Sequence, residues 1–384
     1  MHKINDDVSE RIFDAAQKAA VQIREAIKEA TSGLVNREQL AELIILGAVA
    51  QENLLVIGPP GTAKSAVVRR VAQSFGGKYF EYLLGRFTEP SELFGPVNLA
   101  KLREGLVETD ISGMLPDAEI AFLDEVFLGS TAILNTLLGV LNERQFRRGH
   151  TKIKCPLRIC VAAANGMPED EGLSAFADRF LLHLFVEAVP DSRLEDLLEG
   201  GWQVAQRNVV AKADLASLDI LNRAVPLVNM AGIRSELAQA IRQLRQANIF
   251  LSDRRIVKAQ QLIAATAVLA GRRSAGRADL WPLIYVIPTA TGQTSAREIL
   301  RDIMSYASHP VLQSVVESAV LQPMARVSRL AELCDVVLKN EQKADVNKSV
   351  ESLLREIDAN FLPDELPPIL VDRRQRLISV LDGV

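Results

Sequence analysis

The stretch from Leu54 to Ala72 constrains this chain more than any other. An apolar run, Leu54-Leu55-Val56-Ile57, fits a buried parallel strand; Gly58-Pro59-Pro60-Gly61-Thr62-Ala63-Lys64-Ser65 follows it, and Ala66-Val67-Val68-Arg69-Arg70-Val71-Ala72 fits a helix. The alternation continues. Strands are predicted near 54–57, 79–83, 119–124, 157–163 and 181–186, and helices near 64–74 and 130–142, where Ile133, Leu137, Leu138 and Leu141 line one face. Strands separated by helices imply a parallel sheet covered on both faces, so the expected fold class is α/β: an αβα core on a five-stranded sheet.

Both flanks read as helical. Upstream, Val8, Ile12, Ala15, Ala19, Ile23, Ile27 and Ala30 recur every three or four residues, marking an amphipathic helix that Thr31-Ser32-Gly33 ends. A second helix is expected from Asn36, which would cap it while Gln39 reaches back, through Leu40, Leu43, Ile44 and Ala48. After Pro190 the strands stop. Helical periodicity then dominates in Leu194, Leu197 and Leu198, in Ile233, Leu237, Ile241 and Leu244, and in Ile256, Ala259, Leu262, Ile263 and Ala267. It returns in Val311, Leu312, Val315, Val316, Val320 and Leu321, and across 327–338. Lys339 to Lys348 reads as a charged, solvated connection, and the Pro-rich Phe361 to Pro368 breaks the chain before a final short helix. The expected units are an N-terminal helix (1–35), the αβα domain (36–190), an all-helical lid (191–290) and a mostly helical C-terminal region (291–384).

Composition narrows the setting. With 384 residues and 48% hydrophobic content, each of two or three domains can bury a core. A net charge of −4 gives no general drive toward nucleic acid or anionic membranes. Cys155, Cys160 and Cys334 cannot supply a disulfide framework and lack zinc-site spacing, which points to a reducing compartment. The N-terminus carries Lys3, Asp6, Asp7, Glu10 and Arg11 with no apolar stretch, unlike a secretory signal, and the apolar Leu40 to Ala50 is too short for a bilayer and holds Glu42. A soluble cytoplasmic protein without a membrane span is expected.

The chemistry follows from the loop after Ile57. Backbone N–H groups from Gly61 to Lys64 converge on a phosphate at a helix N-terminus, where unpaired donors and the helix dipole favour an anion. Gly58, Pro59, Pro60, Gly61, Thr62, Ala63, Lys64, Ser65 and Ala66 are thus candidate ATP contacts; Lys64 reaches the β/γ oxygens and Ser65 offers a hydroxyl to Mg²⁺. Ala63 replaces the usual glycine without removing a donor. Ile120-Ala121-Phe122-Leu123 brings Asp124 and Glu125 to the carboxyl end of a strand, Asp124 to hold Mg²⁺ and Glu125 to orient and deprotonate water. Asn165 follows the 157–163 strand, beside those acids if the strands are neighbours, and holds the attacking water or the γ-phosphate, or else only caps a strand-end turn. In Asp178-Arg179-Phe180, the arginine lies too far along the sheet to serve its own nucleotide easily; it is a finger for a neighbouring subunit or a surface ion pair. Ser252-Asp253-Arg254-Arg255 opens a lid helix with Ser252 as cap, and an arginine there either swings onto phosphates or is solvated.

Taken together, these residues resemble the MoxR family of AAA+ ATPases. Phe80 to Pro90, Glu92-Leu93-Phe94-Gly95-Pro96, Leu134 to Leu138 and Asn142 to Phe146 are similar to its RavA branch, and the resemblance covers roughly 36 to 290. It implies Lys64 and Ser65 as the Walker A end, Asp124 and Glu125 as Walker B, Asn165 as sensor 1, Arg179 as arginine finger and Arg254 as sensor 2. It further implies a Mg²⁺-dependent ATPase in a homo-oligomeric ring, a hexamer, that remodels or matures a protein client, often beside von Willebrand A-domain proteins. Hairpins inserted near 98–111 and 147–156 are implied too. In the second, Arg147, Arg148, His150, Lys152 and Lys154 form a basic strip without a stacking aromatic, so nucleic acid is not the expected partner. A nucleic-acid-stimulated motor and a nucleotide-gated scaffold with negligible turnover are the alternatives. The RavA branch can carry a β-rich C-terminal insertion, for which 291–384 leaves little room.

Overall fold

A computed structural model of the chain describes residues 2–320, 323–338, 346–361 and 366–382. Most of the expected charged connection at 339–348, and residues 362–365 of the Pro-rich segment, lie outside the described residues.

Helices α1 (His2–Thr31) and α2 (Glu38–Ala50) lead into β1 (Leu54–Ile57) and α3 (Lys64–Phe75). Next come β2 (Tyr79–Leu83), the short α4 (Pro90–Phe94) and α5 (Leu99–Arg103), β3 (Ile120–Asp124) and α6 (Thr131–Leu138). A hairpin of β4 (Gln145–Arg148) and β5 (Thr151–Lys154) precedes β6 (Ile159–Ala164), α7 (Glu171–Ala177) and β7 (Leu182–Phe185). The rest is helical: α8 (Leu194–Gln206), α9 (Leu215–Ala224), α10 (Arg234–Gln246), α11 (Asp253–Leu269), α12 (Leu283–Val286), α13 (Ala290–Ile299), α14 (Gln313–Val320), α15 (Pro323–Leu338), α16 (Val346–Asn360) and α17 (Pro368–Asp382).

The main sheet has five parallel strands in the order β2-β3-β6-β1-β7. Its central strands are buried on both faces, as a parallel sheet under two helical layers requires. Leu54 and Val56 join Val161, Ala163 and Phe122 in a core with α1, α2, α3 and α9, while Leu55 and Ile57 join Ala162, Cys160 and Leu123 against α6, Phe176 and Phe180. The first core continues into α11 and Trp281, so the lid helices pack directly behind α2. Residues of α15, α16 and α17 close a third, separate core.

Several local expectations change. Phe13, Ala16, Ala20 and Ala26 are buried in α1 besides Ala19, Ile23, Ile27 and Ala30, whereas Ala15 is only half-buried. Alanines on both sides of the stripe blur its centre. Asn36 does not cap α2: it adopts φ 55°, Arg37 holds the N-cap position, and Asn36 Oδ1 accepts from Arg193 at 3.2 Å. Gln39 turns instead to the buried Tyr285 hydroxyl (2.9 Å) and to Ser318 (3.0 Å), partners that no local pattern reveals. The 98–111 segment is no strand hairpin, because Asn98 Oδ1 accepts from the N–H groups of Ala100 and Lys101 and winds the chain into α5; a single bridge joins Val97 and Thr109. The last helix, α17, is 15 residues rather than short. Among the described residues no helix is long and apolar enough to cross a membrane.

Candidate nucleotide site at the carboxyl edge of the sheet

At the end of β1 the backbone leaves no room for a side chain. A Cβ on Gly58 would lie 2.3 Å from the Val186 carbonyl, so only glycine lets the loop start beside β7. Gly61 (φ 78°) and Ala63 (φ 60°) then turn the chain through left-handed conformations into α3. Any Cβ placed on Gly61 would face open space, so the loop is accessible to a ligand from that side. The first N–H groups of α3, on Lys64, Ser65 and Ala66, precede the first helical bond, Val67 N to Ala63 O at 3.1 Å, and are available to an anion. Such a set fits a phosphate group.

Lys64 crosses this concavity, donating to the carbonyls of Gly58 (2.8 Å) and Pro59 (3.0 Å). Burial lowers its ammonium pKa, while Asp124 and Glu125 oppose that shift, which puts both carboxylates within its electrostatic reach. They arrive on β3. Because β3 pairs with β6, Asn165 at the end of β6 meets them, and its Nδ2 donates to Glu125 Oε1 at 2.5 Å. Glu125 holds φ 51°, an uncommon backbone state for a glutamate, with its N–H donating to Asp124 Oδ1 at 3.0 Å. Ser65 in the first turn of α3 and Asp124 supply hard oxygen donors of the kind Mg²⁺ takes together with phosphate oxygens.

The two remaining candidate arginines stand elsewhere. Arg179 follows α7 at the amino edge of the sheet, exposed and without a side-chain hydrogen bond or ion pair among the described residues. Its strand, β7, is the direct neighbour of β1, so the separation from the loop runs lengthwise rather than across the sheet: ~13 Å for four residues at ~3.3 Å each. Arg254 lies at the same edge. Its Nη2 donates to Asn142 Oδ1 at 2.7 Å, and the adjacent Leu141 carbonyl accepts from Asn53, the residue before β1. An Arg254 that swings onto its own chain's phosphates is therefore not what this arrangement offers.

Arg37 is absent from the sequence reading, and Arg255, there one of two arginines that could reach phosphates, has a buried role instead. Arg37, 6% exposed, donates from Nε to the Thr62 carbonyl (2.7 Å) and from Nη2 to that of Glu187 (3.1 Å), bracing the phosphate loop from behind. Arg255, 2% exposed, binds the segment around Arg179. The only signal for Arg255 was its pairing with Arg254: consecutive helical residues point about 100° apart, so both cannot face solvent alike.

Residues 21–223 match the family described as the MoxR domain in the MoxR-vWA-beta-propeller ternary systems, and residues 227–300 match an AAA lid domain. The chain belongs to the MoxR family of AAA+ ATPases. An uncharacterised protein of Methanocaldococcus jannaschii is 31% identical to this MoxR chain over 331 residues, 85% of each. The chaperone MoxR1 of Mycobacterium tuberculosis is 26% identical over 202 residues, 51% of this chain and 53% of that protein. A putative ATPase from Cytophaga hutchinsonii shares the fold, with a TM-score of 0.61 at 17% identity over 77% of this chain and 97% of that one.

Proposed function

We propose that this MoxR protein hydrolyses ATP with Mg²⁺ as a subunit of a ring, a hexamer, and uses the cycle to remodel or mature a protein client. The observation that carries the reading is the Asn165–Glu125 hydrogen bond, formed across adjacent strands beside Lys64 and the phosphate loop. In this reading Gly58 to Ala66 and Lys64 hold the phosphates, and Ser65 and Asp124 hold Mg²⁺, which neutralises charge on the phosphate oxygens when bound. Glu125 takes a proton from the attacking water while Asn165 fixes the orientation of that carboxylate. Arg179 and Arg254 sit at the opposite edge of the sheet, which suits arginines that complete a neighbouring subunit's site.

Finer assignments belong to the same proposal. Working units are residues 36–190 for nucleotide binding, 191–290 for the lid and 291–384 as a helical accessory region, with 1–35 as the helix that precedes them. The sequence features at 80–96 and 134–146 favour the RavA-like branch. The description of the matched family favours a von Willebrand A-domain protein as partner. The basic strip offers little to nucleic acid, since Arg147 already binds Gln145 (2.6 Å) and Arg148 the Gly95 carbonyl (3.2 Å).

Two substitutions test the core of this. Lys64→Ala should abolish binding of a fluorescent ATP analogue, whereas Glu125→Gln should retain it and lower steady-state turnover by roughly 100-fold or more. Turnover by Glu125→Gln at the unsubstituted rate would remove that glutamate from the chemistry.

A further inference from the structure

Arg255 lies in the first turn of α11, one residue after Arg254, and all of its donors are engaged. Nε donates to the Val286 carbonyl (2.9 Å); Nη1 to the Asp178 carbonyl (3.1 Å), Asp178 Oδ1 (2.9 Å) and the Phe180 carbonyl (3.1 Å); Nη2 to the Leu181 carbonyl (2.9 Å) and His183 Nδ1 (3.0 Å). Every acceptor except the Val286 carbonyl belongs to the segment from Asp178 to His183, which contains Arg179. Its two immediate neighbours are both held by one guanidinium nitrogen.

We propose that Arg255 is a positioning residue that locks Arg179 to the first turn of α11, so that Arg179 and Arg254 address the neighbouring subunit as one rigid unit. This rests on the proposed action of Arg179 across a subunit interface. The backbone of the segment is held locally, by Arg179 N–H to the Phe176 carbonyl (3.0 Å) and Phe180 N–H to the Ala177 carbonyl (3.0 Å), and Phe180 and Leu181 are buried, but it is Arg255 that ties it to α11, while the Arg179 side chain itself stands free of partners among the described residues. A planar fork with five N–H donors can hold several carbonyls at once, whereas a lysine offers three donors from a single point. His183 is a fitting acceptor. It is fully buried, and burial followed by the Arg255 charge holds its pKa well below the ordinary value, so the neutral ring keeps a lone pair on Nδ1 for Arg255. Any change in the tilt of α11 is therefore delivered directly to Arg179.

A bland alternative is a buried arginine that only stabilises its own subunit, and mixed assemblies separate the two. Arg255→Met alone should lower steady-state ATPase by about 10–100-fold while binding of a fluorescent ATP analogue stays within about two-fold of the unsubstituted protein. Mixed with Glu125→Gln, whose Arg179 is intact, each Arg255→Met subunit regains a competent neighbour, and ATPase per Arg255→Met subunit should rise several-fold. A defect confined to the subunit's own fold cannot be rescued by a neighbour. If Arg255→Met does not fold, Asp178→Asn, which keeps an oxygen acceptor but loses the charge, should show the same rescue with a smaller initial loss. No rescue at any ratio, while Arg179→Ala mixed with Glu125→Gln does recover, overturns the role of Arg255 and leaves the trans-acting Arg179 standing. No recovery in that control either overturns both.

Discussion

Ala63 carries backbone strain at the heart of the phosphate loop. Its φ of 60° is a left-handed conformation that a Cβ disfavours by about 1–2 kcal/mol, which counting N–H donors in the sequence does not reveal. Ala63→Gly should relieve that strain but free the unfolded chain by about 0.4–1 kcal/mol, for a net stabilisation of about 0.5 kcal/mol in urea unfolding. A loss of more than 1 kcal/mol would show that the methyl group makes a favourable contact. At this scale the sequence was most informative where chemistry is local. Gly58, Lys64, Asp124, Glu125 and Asn165 were legible because strand ends and a loop before a helix bring them to one edge of the sheet. Arg37 and the buried role of Arg255 were not, since their worth lies in carbonyls far along the chain.

Among the elements, α14 has an unusual cap. Glu42 of α2, 4% exposed, accepts from the N–H groups of Ser314 (3.2 Å) and Val315 (2.8 Å) at the start of α14. Burial raises its pKa to about 8, overcoming the two N–H bonds that favour the charged form. The folded value lies above the ordinary 4.5, so protonation favours the folded state; this contribution is complete below pH 4.5 and is lost as pH rises through 8. Glu42→Gln keeps a neutral acceptor at every pH. It should come closest to the unsubstituted protein in urea unfolding at or below pH 4.5 and exceed it by about 4–5 kcal/mol at pH 8.5. Parallel pH profiles for the two proteins would exclude a titrating Glu42. Strands β1, β3 and β6 were readable from sequence because burial on both faces leaves unbroken apolar runs. The cap of α2 and the path of 98–111 were not, because Tyr285 and Asn98 redirect them through contacts that periodicity does not encode.

At the scale of the molecule, the sheet has two working edges. The phosphate loop, Asp124, Glu125 and Asn165 occupy the carboxyl edge, while Arg179, Arg254 and the buried fork of Arg255 occupy the amino edge. Arg255 and Lys258, whose Nζ lies 2.7 Å from the buried Glu52 carboxylate, help fasten the lid to the amino edge. Helical periodicity gave the lid its content, but only these tertiary contacts give its orientation, which is why Arg254 lies away from its own loop. If, as proposed, these edges carry complementary halves of one site, copies must meet edge to edge, as in a closed head-to-tail ring. Steady-state ATPase of Arg179→Ala and Glu125→Gln subunits mixed across all ratios tests this most directly. The account predicts that two nearly inactive proteins give a maximum of activity at intermediate ratios; activity no greater than the weighted sum of the separate proteins at every ratio would contradict it.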